Sequence, residues 1–456
     1  MTLPSRSRLA SWRVDEIEQS AADLEEVRNE FIDLVGLAAT APERADASWS
    51  GEAADACSER VLEEGESARK LAHELEDVVD KVREVGRRLG HAKAFTENTA
   101  VDIESDPHSL LVSDSWAVNI SPMALLPVPE RSPELVRGAI IERQEQMDAA
   151  VRFLVDEDAA CATLLAESFE RAAHCGRQLD QAAAFRRAAG RMPETVNDWL
   201  TASMLDPFSE DGKYRDVEAG VVMGHIRPEP GRGSVRTELY IPVHRVFNME
   251  LIPPGAEYDL GDHRGSSPTA APGDARVELV IDYENGVVVA RQNPSATESG
   301  EVRADAPTVE VQQLSSGDVR VAYEAVNPFA PLRGEPFHKV HGEVAVSSYG
   351  DGFRVGGVVG EYPSLEIYHH RNDGSVEPLV IEEAEDRSET GPLWDLPRRN
   401  TVGDSTALEP FVDTARPRVS PHEGAIAEPS YPGETRLGPV EDGVRVPTVE
   451  PARQGR

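Results

Sequence analysis

Residues 277–292 read VELVIDYENGVVVARQ: two runs rich in β-branched side chains on either side of Asn285-Gly286. β-branched residues favour strands, and Asn-Gly supplies the positive φ that a tight hairpin turn needs. The stretch therefore predicts an antiparallel hairpin. Three more follow: VEVQQL-SSGD-VRVAYEAV (309–326) with Gly317 in its loop, HGEVAVSS to FRVGGVVG across Asp351-Gly352, and EYPSLEIYHH to SVEPLVIEE across Asn372-Asp373-Gly374. With 218–227 and 235–247 this makes about ten strands at close spacing, the pattern of an antiparallel sandwich or barrel over 215–385. A strand–helix–strand rhythm is missing from these residues, which argues against a dinucleotide or P-loop fold.

Upstream the period changes. Proline is absent from 43–106 and again from 134–192, which leaves room for long helices. From Ala54 the apolar positions run Cys57, Val61, Ala68, Leu71, Leu75, Val78, Val82, Val85, Leu89 and Ala92, alternating steps of three and four with one miss at Glu64. That is a continuous seam close to the 3.5-residue repeat of a coiled coil. Ile17, Ala21, Leu24, Val27, Phe31 and Leu34 repeat the spacing before a short connection, so 10–105 predicts an antiparallel helical hairpin. Residues 106–131 read as a linker. Ser132-Pro133 opens a second helical pair over 132–200, with Gly176 or Gly190 as its break. Ten of the 33 prolines fall in the last 66 residues, so 386–456 reads as a disordered tail.

Composition excludes several functions. Residues 1–200 carry 22 basic and 39 acidic side chains and 201–456 carry 24 and 43, for a formal net charge of −36. Neither half offers the positive face that nucleic-acid phosphates or anionic lipid require. No apolar run is long enough to span a membrane, and the N-terminus lacks the apolar core of a Sec leader. Three cysteines (57, 161 and 175), none in a Cys-x-x-Cys pair, make no disulfide framework.

Between the first two helices stands SWSGEAADACSERV, with Trp49 and Gly51 at its turn. A glycine lets the backbone swing into the second helix, a large ring caps the open end, and the alanines permit close helix approach. This segment resembles the turn of the WXG (ESX-type) family of actinobacterial type VII secretion substrates, in the longer versions that serve as export modules of larger proteins. The resemblance covers about residues 10–105. It implies a leaderless route to the medium or the cell surface, with the secretion machinery or a helical partner as binding partner. The family commonly carries Tyr-x-x-x-Asp/Glu just past the second helix. Here that position is empty; Tyr214–Glu218 (YRDVE) matches further on, as do Tyr258–Asp262 and Tyr362–Glu366.

Candidate chemistry is sparse. On the strand 362–370 the even positions Tyr362, Ser364, Glu366, Tyr368 and His370 share one face, with Leu365 and Ile367 on the other. A carboxylate, a phenol and an imidazole in a row suit acid–base work; a solvated sheet face is the alternative. His338, His341 and Glu343 lack metal-ligand spacing on a strand. Asp262-His263-Arg264, in a Gly/Pro/Ser-rich stretch, reads as a solvated connection. No cofactor or metal is expected.

The expectation is an N-terminal helical module and a C-terminal antiparallel β domain: an exported actinomycete protein whose β domain binds a partner or ligand. One alternative is an enzymatic toxin using Glu366, Tyr368 and His370. Another is a cytoplasmic assembly protein that forms homo- or hetero-oligomers through the helix seam at Leu71, Leu75, Val78, Val82, Val85 and Leu89.

Overall fold

The computed structural model describes residues 3–40, 51–121, 132–248, 257–329, 339–350, 352–360, 364–383, 400–411, 433–440 and 446–452. The chain divides into two units, Met1–Leu179 and Asp180–Arg456. The first is helical and the second is mostly antiparallel β.

In the helical unit a short α1 (Arg6–Ala10) precedes α2 (Asp15–Ala39), α3 (Glu52–Glu104) and α4 (Pro133–Ala189). Gly51 caps α3 at φ +118°, a backbone conformation that favours glycine. Helices α2 and α3 run antiparallel: Arg28 bonds to Glu76 (2.9 Å), and Gly86 and Gly90 approach Ile17 and Val14. Helix α4 returns along α3, with Arg88 bonded to Glu157 at 2.7 Å and Arg143 to Asp106. The predicted seam enters the core of this unit from Val78 to Ala92. Val78 and Val82 pack with Ala21 and Ala172, and Val85 and Leu89 with Cys161. Each such buried aliphatic contributes about 1.5–3 kcal/mol. Leu71 and Leu75 are only half-buried.

Two boundaries need correction here. The predicted linker contains a hairpin, β1 (Leu110–Val112) with β2 (Val118–Ile120), whose Val112 and Val118 join the core beside Trp116, Met147 and Leu154. The Trp116 indole N–H donates to Pro4 O at 2.7 Å. The predicted second helical pair is one continuous helix of 57 residues followed by a short α5 (Val196–Leu205). Gly176 costs a helix about 1 kcal/mol, too little to break one whose buried face continues on both sides. Gly190, at φ +76°, ends it.

The β unit contains the four predicted hairpins. Its strands are β3 (Gly220–His225), β4 (Ser234–Tyr240), β5 (Arg245–Asn248), β6 (Glu257–Leu260), β7 (Val277–Asp282), β8 (Val287–Gln292), β9 (Ser295–Ala296), β10 (Val302–Arg303), β11 (Thr308–Gln313) and β12 (Val319–Val326). After them come β13 (Lys339–Tyr349), β14 (Gly352–Gly360), β15 (Ser364–His370), β16 (Val376–Glu382), β17 (Asn400–Gly403), β18 (Thr435–Arg436) and β19 (Gly438–Pro439). One sheet has the order β16-β15-β4-β7-β8-β3-β19 and the other β17-β14-β13-β12-β11-β18. Aliphatic side chains of both, among them Val235, Leu239 and Ile281 against Val311, Val321 and Val346, form a single buried cluster. Each sheet is open, with different strands at its two ends.

The tail expectation is corrected over 400–411, 433–440 and 446–452; the rest of 386–456 lies outside the described residues. Of 386–456, β17, β18 and β19 add to the sheets, Thr448 bridges to His225, and Ala452 to Leu314. Isolated apolar side chains anchor these pieces: Val402, Leu437 and Val449 enter the shared core, and Phe411 packs with Leu314 and Ala345. Prolines are tolerated there because an edge strand needs no second row of N–H donors.

Candidate functional site

Register brings the predicted polar row into a larger one. On β15, β4 and β7, Glu366 stands opposite Glu238, and Glu238 opposite Glu278; Arg291 of β8 is next across. Tyr368 stands opposite Arg236 in the neighbouring rung. All face away from the shared core, as side chains two residues apart must.

This face is not wet. Glu238, Glu278 and Glu366 are 0% exposed and Arg236 2%. Residues 261–274, read from sequence as a solvated connection, roof it. Arg264 pairs with Glu366 through Nη1, and its guanidinium lies 3.9 Å over the Tyr240 ring. Ser267 N donates to Glu366 Oε2 at 2.8 Å, and Gly273 N to Glu278 Oε1 at 3.1 Å. Arg236 Nη1 donates to Ala270 O at 2.8 Å. The Asp262 side chain is also covered and holds Lys213 Nζ at 3.0 Å. Burying these charges would be prohibitive singly; pairing and backbone donors make it tolerable.

The row is held closed by its own chemistry. Glu366 Oε2 also accepts from Tyr368 OH at 2.8 Å. Burial, reinforced by that carboxylate, raises the phenol's pKa, so it stays a donor. Burial pushes the Glu238 carboxyl well above the usual range, against the opposing pull of Arg236. His370 is driven down to about 4 by burial, with Arg236 adding to the effect, so it is neutral at pH 7. Its Nε2 is buried without a hydrogen-bond partner, and Glu366 is held by Arg264, Ser267 and Tyr368. Glu366, Tyr368 and His370 share a face, and all three are buried. Sequence reasoning missed Arg236, Glu238 and Glu278, and read Arg264 as part of a solvated connection.

A second network fixes α5. Thr195 and Asp198 form a capping box, and Arg191 grips Asp198 through two nitrogens at 2.9 and 2.8 Å. Burial opposes the Asp198 charge, but Arg191, two backbone N–H groups and Asn285 outweigh it and lower the carboxyl to about 2.

The remaining sequence candidates fall elsewhere. Trp49, Tyr362 and His338 lie outside the described residues. Tyr214 is buried and donates to Gly273 O at 3.0 Å, while Glu218 is exposed, so the tyrosine of YRDVE packs within the β unit. Val78, Val82, Val85 and Leu89 are covered by α2 and α4 of the same unit, while Leu71 and Leu75 stay half-buried. Among the described residues no helix is long and apolar enough to cross a membrane. Compared with known proteins, the chain matches no family model and no curated protein.

Proposed function

We propose that the chain is an exported actinomycete protein in which the helical hairpin is a type VII (ESX-type) secretion module and the β unit is binding cargo, its two sheets layered as a sandwich. The observation that carries the binding half is the sealing of the polar row: an acid, a phenol and an imidazole that could do chemistry in a cleft are instead locked by Arg264, Ser267 and Tyr368. Export draws support from the antiparallel α2–α3 hairpin and from Gly51 in a glycine-type conformation where the family's turn glycine falls.

The test is localisation. In the native host the full chain should accumulate in culture filtrate, and deletion of the secretion ATPase should leave it in the cell pellet. Retention in the pellet of both strains sinks the export reading.

A further inference from the structure

Two short arms of the chain, 433–440 and 446–452, cross the edges of both sheets. In the first arm β18 pairs with β11, Thr435 opposite Val311, and β19 with β3, Gly438 opposite Met223; Leu437 alone stands between them. The second arm crosses back. His225 N donates to Pro447 O at 2.8 Å and Val449 N to His225 O at 2.7 Å, while Ala452 N donates to Gln313 O at 2.8 Å. Each arm therefore shares main-chain hydrogen bonds with both sheets.

The edges are shaped for these arms. A Cβ on Gly224 of β3 would collide with Leu437, and Gly438 lies against Pro447. Leu437 and Val449 enter the core shared by the sheets, 6% and 1% exposed. Glu434 meets Arg320 of β12 in a buried ion pair, Oε1 to Nη1 at 2.7 Å. Arg436, Pro439, Thr448 and Glu450 are exposed. The edges thus read backbone, two aliphatic side chains, and one carboxylate three residues before the first aliphatic.

The arms are also the part of the β unit that can leave first. Strand β3 pairs with β8, and β11 with β12, along their whole lengths, whereas β18 and β19 hold two residues each. So short a ladder opens before the sheets it borders. Opening does not strand the buried cation, because Arg320 keeps Glu343 at 2.7 Å. It does uncover the backbone groups of two edge strands, a template for adding an extended peptide.

We propose that the β3 and β11 edges together are a docking site for an extended peptide bearing a carboxylate three residues before a branched aliphatic side chain. Residues 433–440 and 446–452 are a strap that occupies the site in cis. The proposal rests on the reading of the β unit as the binding part and is independent of export. A chain kept in the cell that takes up the peptide sinks export and leaves this site standing; no uptake by an exported chain sinks the strap alone.

Fluorescence anisotropy on the full chain tests it, with a labelled peptide of the 433–452 sequence as probe. In the parent the tethered strap competes at high effective concentration, so the probe binds weakly. Glu434→Ala in the chain weakens the strap and not the probe. It should tighten probe binding roughly tenfold, the loss of one charge-assisted hydrogen bond from the competitor. A probe carrying Leu437→Asp should not bind. Equal binding by the parent and folded Glu434→Ala, uptake of the Leu437→Asp probe, or dimerisation of Glu434→Ala without probe uptake overturns the proposal. Hydrogen exchange on the parent decides if Glu434→Ala fails to fold: the Leu437, Val449 and Ala452 amides should exchange roughly tenfold faster, or more, than those of β7 and β8. Equal protection would mean that the strap opens only with global unfolding, and overturns the proposal as well.

Discussion

Glu238 and Glu278 stand directly opposite each other on neighbouring strands, and one guanidinium nitrogen, Arg236 Nη2, holds both, at 2.6 Å and 2.8 Å. Two like carboxylates in an unexposed site cannot both keep full charge cheaply. Because burial raises the Glu238 carboxyl, the folded state favours its protonated form, and its contribution to stability falls as pH rises above the ordinary glutamate range. Glu238→Gln should therefore fold as well as the parent at pH 7 or better. Arg236→Met, which strands two acids, should cost about 3–5 kcal/mol. Urea denaturation separates them, and a Glu238→Gln loss as large as that of Arg236→Met would contradict the account.

Acid should weaken the β unit through His370. Its folded pKa of about 4 lies below the ordinary imidazole value, so the neutral form is favoured by folding. The associated stability is present above pH 6.5 and lost as pH falls towards 4, by up to about 3 kcal/mol. Burial shifts His225 and His369 in the same direction. Melting curves between pH 7 and 4 should show this loss, reduced in His370→Gln; an unchanged slope in the variant would refute the assignment.

Asp198 behaves in the opposite sense. Its carboxyl sits near pH 2, so its stabilisation is present above the ordinary aspartate value and disappears as pH falls from about 4 to 2. Asp198→Asn should cost about 2 kcal/mol at pH 7 and flatten that acid limb. A neutral substitution by chemical denaturation would show that Arg191 and the capping box do not hold α5.

In the helical unit, Leu154→Ala should cost about 2–5 kcal/mol because Leu154 is 0% exposed in the core beside Met147 and Trp116. Half-buried Leu71→Ala should cost less. Gly51→Ala, which forces a Cβ into φ +118°, should cost on the order of 1–3 kcal/mol. Thermal melts of the three variants check the order, and Leu71→Ala as the worst would mean the seam's centre lies elsewhere.

The hairpins were readable because alternation and Asn-Gly, Asp-Gly or Ser-Gly turns are local signals. So was the seam from Val78 to Leu89. The roof over Glu366 was not, because its residues 261–274 lie about a hundred positions away and look like any Gly/Pro/Ser connection. Polar side chains alternate with apolar ones in SVRTELY and VELVID, yet every residue of both strands is buried. One signal was available: charged Arg236, Glu238, Glu278 and Arg291 at matching positions of strands that are otherwise strongly apolar. The tail pieces escaped because Val402, Leu437 and Val449 are single anchors with no period.

Ser267 N and Gly273 N donate to Glu366 and Glu278 from the roof, so their hydrogen exchange reports whether the row opens. If the β unit binds rather than catalyses, both amides should be protected to the level of the β7–β8 amides and exchange only by global opening. Exchange at the rate of exposed turns such as 372–374 would mean the row is accessible, and would return Glu366, Tyr368 and His370 to candidacy as a catalytic site.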